Sequence, residues 1–195
     1  CANRILVQDG VYDAFVEKLT ELVGSYRLGN GLDEATTHGP LVSETAVEDV
    51  DAFVRDALEK GARAPIGGRR SELGSCYYEP TVLTDVTEDM RVFNEEIFGP
   101  VAPVFRFRTE EEAITMANDT PYGLASYFYT RDLGRAWRVA EAIEYGLVGV
   151  NEVAITSDVI PFGGVKESGQ GREGSKYGID DYVEIKYICM GGIDR

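Results

Sequence analysis

From residue 101 to residue 151, short apolar stretches alternate with helix-length segments, and this alternation limits the possible folds more than any other feature. "VAPVFRFR" reads as a strand, "TEEEAITMAND" as a helix, "LASYFYT" as a strand, "RDLGRAWRVAEAIE" as a helix and "GLVGVN" as a strand. Strands joined through helices of this length run parallel, because the crossover returns the chain to the same end of the sheet. The expected fold class is therefore α/β, a mostly parallel sheet covered by helices.

The remaining segments fit that plan. "NRILVQ" reads as a short buried strand, followed by a turn at Asp9-Gly10. A helix comes next, with Val11, Phe15, Leu19 and Leu22 at helical spacing, and "GSYRLGNG" ends it. A second helix lies in "LVSETAVEDVDAFVRDALEKG", with Ser43 as its N-cap, Val47, Val50, Val54 and Leu58 as its apolar stripe, and Gly61 as its close. "RAPIGG" and "YYEPTVLTDV" are further strands. After a Gly-rich segment, "DYVEIKYICM" reads as a last strand, with Tyr182, Glu184, Lys186 and Ile188 on one face and Val183, Ile185, Tyr187 and Cys189 on the other. An unpaired strand is a liability, so this tail pairs either with its own sheet or with another chain.

With 44% hydrophobic residues the chain can bury a real core. Its formal charge of −15 would repel a nucleic-acid backbone or an anionic membrane surface, so neither is expected as a partner. No apolar run approaches the roughly 20 residues that span a bilayer. Cys1, Cys76 and Cys189 are too widely spaced for a disulfide framework or a zinc cluster. Reduced thiols and a cytoplasmic location are the expectation, with no metal site. The one histidine, His38 in "TTHGP", is expected to be a plain loop residue.

Two stretches could carry chemistry. In "NEEIFGP", adjacent carboxylates precede an aromatic, a glycine and a proline. A carboxylate there could accept from both hydroxyls of a ribose with a ring beside it, or the stretch could be a turn with two solvated acids. In "PFGGVKESG", paired glycines let backbone approach backbone or a ligand closely. It is neither a dinucleotide fingerprint nor a phosphate loop.

Taken in order, "CANR" before a strand, "EEIFGP", "ANDTPYGLAS", "GLVGVN" and "PFGGVKESGQGREGSKYG" resemble the second half of an NAD(P)-dependent aldehyde dehydrogenase. The resemblance covers essentially the whole chain. "CANR", "REGSKYGIDDY" and "EIKYIC" look most like succinate-semialdehyde dehydrogenases, with glutarate-semialdehyde enzymes close by.

The resemblance implies a twisted sheet with helices on both faces over residues 1–179, the catalytic domain, and a C-terminal strand over 180–195 of the oligomerisation type. It implies NAD or NADP as cofactor, a small semialdehyde as substrate, and a dimer or tetramer formed through the last strand. By this match the nucleophilic cysteine lies two positions before Cys1. It would attack the aldehyde to form a thiohemiacetal, which would lose a hydride to the nicotinamide to leave a thioester. Water activated by an upstream glutamate would then release the acid. The oxyanion asparagine, the glutamate base and the dinucleotide domain also lie upstream, so the chain alone is expected to be inactive. Cys1 matches a second cysteine that in some relatives forms a reversible disulfide with the nucleophile. If Cys1 were itself the nucleophile, "ANR" and its strand would slip by two.

Residue by residue, Glu96 matches the side chain that holds the nicotinamide ribose, and Phe98 the ring beside the nicotinamide. Asn151 matches a side chain that helps organise the catalytic loop, and Phe162 an aromatic of the aldehyde tunnel. Thr156 or Ser157 matches the hydroxyl set against the distal carboxylate of the substrate. Packing readings stand beside these: Phe162 as core, Asn151 as a strand cap. Arg172, Lys176 and Lys166 are expected to be structural or surface charges. A non-enzymatic folding and oligomerisation module is the alternative function, and a protein regulated through the Cys1 thiol a third.

Overall fold

The computed structural model describes residues 2–194. Cys1 lies outside the described residues, and so does any role for its thiol. The chain divides into two compact units, Cys1–Ala113 and Ile114–Arg195.

The first unit is built on a four-stranded sheet in the order β1-β4-β3-β2. Its strands are β1 (Ile5–Gln8), β2 (Arg63–Ile66), β3 (Thr81–Thr84) and β4 (Val101–Phe107). β4 runs parallel to both β1 and β3, and only β2 is antiparallel to its neighbour. Pro103 sits in β4 without breaking the sheet. β1 pairs with β4 only from Val104 onward, so the residue that lacks an N–H lies where β4 has one strand neighbour.

Helix α1 (Asp9–Gly24) packs on one face, where Tyr12 and Val23 join Val7, Val82 and Val104 in a cluster flanked by Val16 and Leu19. Val82 and Val104 share that face, so their neighbours Leu83 and Phe105 turn to the other. There α2 (Glu44–Glu59) buries Val47, Val50, Phe53, Val54 and Ala57. The single turn α3 (Arg91–Asn94) sets Phe93 edge-on to Phe105, 5.3 Å between centroids. This sheet is thus covered by helices on both faces.

Two details of the sequence reading change. α1 begins at Asp9 itself, with no preceding turn, and its buried side is Tyr12, Val16, Leu19 and Val23. Val11 and Leu22 are more than half exposed and Phe15 is exposed too. The helix is rotated because the Tyr12 hydroxyl donates to the Val104 carbonyl at 3.0 Å, while Arg106 lies over its ring and pairs with Asp9 and Asp13. α2 follows its pattern more closely: Ser43 Oγ accepts from the Ala46 N–H, and Gly61 closes it at φ 101°. Val47, Val50 and Val54 are buried as expected, but Leu58 is exposed, and Phe53 and Ala57 complete the buried side instead.

α4 (Glu110–Asn118) spans the division between the units. The second unit then holds β5 (Ala125–Phe128), α5 (Leu133–Ala142) and β6 (Leu147–Val150), with β5 and β6 parallel. Asp132 caps α5 by accepting from the Arg135 N–H at 2.8 Å. The expected last strand is not formed. Residues 180–182 make one 3-10 turn, and 183–190 join no ladder among the described residues. A strand exists by pairing, and both faces of this alternating segment are open to solvent: Ile185 is 100% exposed on one and Tyr182 83% on the other. Among the described residues no helix is long and apolar enough to cross a membrane.

Candidate functional site

In the first unit the candidate residues lie on the turn between α3 and β4, which is held from three directions. Arg91 forms a bidentate pair with Glu95, 2.7 and 2.9 Å, and its guanidinium lies over the Phe53 ring at 4.4 Å. Asn3, two residues before β1, grips the backbone on either side of Glu96. Its Nδ2 donates to the Glu95 carbonyl at 3.0 Å, and its Oδ1 accepts from the Ile97 N–H at 2.7 Å. Gly99 lies so close to α2 that a Cβ there would overlap Val50. The loop is thus rigid, although much of it faces water.

The two adjacent acids differ. The Arg91 guanidinium holds the Glu95 carboxyl below its ordinary range. Glu96 is exposed, and among the described residues its carboxylate has neither a hydrogen bond nor an ion pair. Phe98 is 80% exposed, with its ring free. One carboxylate is consumed in holding the turn and the other is available.

In the second unit Asn151 directly follows β6 at φ 57°. Its Oδ1 accepts from the Thr130 N–H and its Nδ2 donates to the Thr130 carbonyl, both at 2.8 Å. The side chain thereby extends the β5–β6 pairing by one rung beyond the strands. An open depression of about 450 Å³ adjoins it, lined by Tyr129, Thr130, Arg131 and Asn151. In the following loop Glu152 accepts from the Val153 and Ala154 N–H groups, which lower its pKa. Ser157 donates to Asp158 at 3.1 Å, and both Thr156 and Ser157 are exposed. Phe162 is half-buried and exchanges two backbone hydrogen bonds with Glu173, at 2.9 and 2.7 Å.

The Gly-rich segment is a backbone-to-backbone joint. A Cβ on Gly146 would overlap the Gly163 carbonyl oxygen, and one on Gly123 would press on Val165 and the Glu144 carbonyl. Lys166 donates to the Asn118 and Thr120 carbonyls and pairs with Glu144, and Arg172 donates to the Gly164 and Gly171 carbonyls. Arg172 is structural, as expected, and Lys166, expected as a surface or loop charge, ties its loop to residues 118–120 and 144. His38 is a loop residue with its ring against Tyr26 and its Nδ1 2.9 Å from Thr37 Oγ1. Among the described residues no group of three or more His, Cys, Asp or Glu side chains is placed to hold a metal ion.

Asn3 and Arg91 escaped the residue-by-residue reading of the sequence. Arg91 stands four residues before Glu95, a spacing that itself signals a helical ion pair. Asn3 lies inside the "CANR" motif, but its partners are more than ninety residues away and leave no local trace.

Parallel strand pairs, helices laid over them and candidate residues on rigid loops at strand ends define an α/β domain of the kind that presents ligand-binding groups from its loops. Residues 1–188 match the aldehyde dehydrogenase family, and the chain belongs to that family. It is 58% identical over 195 residues to the 3-sulfolactaldehyde dehydrogenase of Pseudomonas putida, covering 100% of this chain and 40% of that protein. It is 56% identical to the succinate-semialdehyde dehydrogenase [NADP(+)] of Escherichia coli, covering 98% of this chain and 40% of that protein. The crystal structure of succinate-semialdehyde dehydrogenase from Burkholderia pseudomallei superimposes with a TM-score of 0.94 at 56% identity, covering 97% of this chain and 39% of the other. The chain therefore spans about two fifths of the length of these relatives.

Proposed function

We propose that this chain supplies part of an NAD(P)-dependent dehydrogenase that oxidises succinate semialdehyde to succinate, with glutarate semialdehyde as the alternative substrate. Residues 1–179 contribute to its catalytic domain, and 180–195 to assembly as a homo-oligomer. The observation that carries the reading is identity of 56% or more across nearly the whole chain to a semialdehyde dehydrogenase. The setting proposed for this chain is reducing and cytoplasmic.

The residues present fit the cofactor. Glu96 offers an unpaired carboxylate on a rigid turn, a suitable acceptor for two ribose hydroxyls, and Phe98 offers an open ring for a flat heterocycle. When bound, a nicotinamide dinucleotide supplies the hydride acceptor. In the second unit Asn151 holds the end of β6, Thr156 or Ser157 presents a hydroxyl to the distal carboxylate of the substrate, and Phe162 supplies an apolar wall.

The test is dinucleotide reduction by the complete polypeptide carrying this chain, with succinate semialdehyde, glutarate semialdehyde and a neutral aldehyde of similar length. Semialdehyde-dependent reduction is expected, and E96Q should raise the KM for the dinucleotide about tenfold, the scale of a lost charge-assisted hydrogen bond. Absence of reduction with either semialdehyde would overturn the proposal.

A further inference from the structure

We infer that Asn3 is a positioning residue for the dinucleotide: it fixes Glu96 by gripping the backbone on both sides of it. This rests on the reading of Glu96 as a ribose acceptor.

The geometry is specific. A side-chain amide carries one acceptor and a pair of donors in a single plane. Asn3 uses both ends on one short piece of chain, accepting from the Ile97 N–H at 2.7 Å and donating to the Glu95 carbonyl at 3.0 Å. The residue between those two groups is Glu96. Its own carboxylate makes no contact that would orient it among the described residues, so its direction is set by its backbone. On one side that backbone is anchored through the Arg91–Glu95 pair, and on both sides by Asn3.

Arg91 cannot replace the clamp. It holds a flexible side chain, with both partners about half exposed, whereas Asn3 holds peptide groups directly. Asn3 also leads straight into β1, which runs parallel to β4 and so ties the entry of the first strand to the turn that opens β4. A ligand-facing group held by such a supporting contact loses affinity when the support is removed, though the support never touches the ligand.

The experiment uses the complete polypeptide, its N3A variant, the near-isosteric N3D and E96Q as reference. Dinucleotide Kd is measured by fluorescence titration, and exchange of the Ile97 amide by hydrogen–deuterium exchange. Alkylation of the reactive thiol without dinucleotide reports on the neighbouring strand. N3A is expected to raise the Kd about tenfold and to lose protection at Ile97, with alkylation within about twofold of the parent. N3D keeps an acceptor for the Ile97 N–H, so protection there should persist while the Kd falls between the two. It also serves if N3A does not fold. A Kd unchanged in N3A while E96Q weakens binding would overturn the inference alone, as would equal losses of affinity and thiol reactivity. An E96Q variant with unchanged Kd would remove the ribose reading, and the inference with it.

Discussion

Glu95 and Glu96 are adjacent carboxylates with the same chemistry, and their surroundings give them different work. The Arg91 pair keeps Glu95 ionised to lower pH than in the unfolded chain. A native pKa that is depressed contributes stability above the unfolded value, and that contribution disappears as pH falls through the native one. On acidification below about pH 4.3, the usual glutamate value, part of the lost stability should therefore trace to Glu95. E95Q is expected to flatten the stability–pH slope in that window, at a cost of at most about 1 kcal/mol at neutral pH because both partners are about half exposed. Denaturant melts at a series of pH values measure it, and a slope equal to the parent's would refute it. The sequence shows two acids in a turn, but which one is free depends on Arg91 four residues back and on Asn3 across the sheet. The resemblance marks Asn151 as a side chain that helps organise the catalytic loop, and a strand cap is its packing reading. That both of its amide atoms are spent on Thr130 was not legible, because Thr130 lies past the end of β5, 21 residues earlier in the chain.

At the level of elements, most of the reading survives because strand and helix periods are local. α2, its Ser43 cap and the buried Val47, Val50 and Val54 follow from spacing alone, while Leu58 gives way to Phe53 and Ala57. The face of α1 does not: apolar spacing favoured Val11, Phe15 and Leu22, whereas the buried side is chosen by the hydrogen bond from the Tyr12 hydroxyl to β4. The glycines of "PFGG" announced a close approach without naming its partner, which is Gly146, at the start of β6. G146A should destabilise the chain by about 3 kcal/mol, the upper range for overpacking against rigid backbone. G10A, in the first turn of α1 with open space around its Cα, should instead stabilise by about 0.5 kcal/mol through helix propensity. Thermal or urea unfolding of the pair tests this, and a harmless G146A would show that the joint can yield.

Across the whole chain, the acidic balance, the alternating plan and the family membership were all readable from 195 letters. The last strand was read as a strand and has none of its pairing, because the alternation of residues 182–189 states a capacity whose partner lies outside the segment. Removing residues 183–195 is expected to lower the assembled mass measured by light scattering, and an unchanged mass would rule out the tail as the oligomer contact. The same segment has a second consequence. Exposed, extended backbone with unpaired amides is what a protease cleft grips, so a copy without partners offers a cutting site that pairing would hide. If the tail pairs between copies as proposed, limited proteolysis within residues 183–190 should slow as the polypeptide assembles.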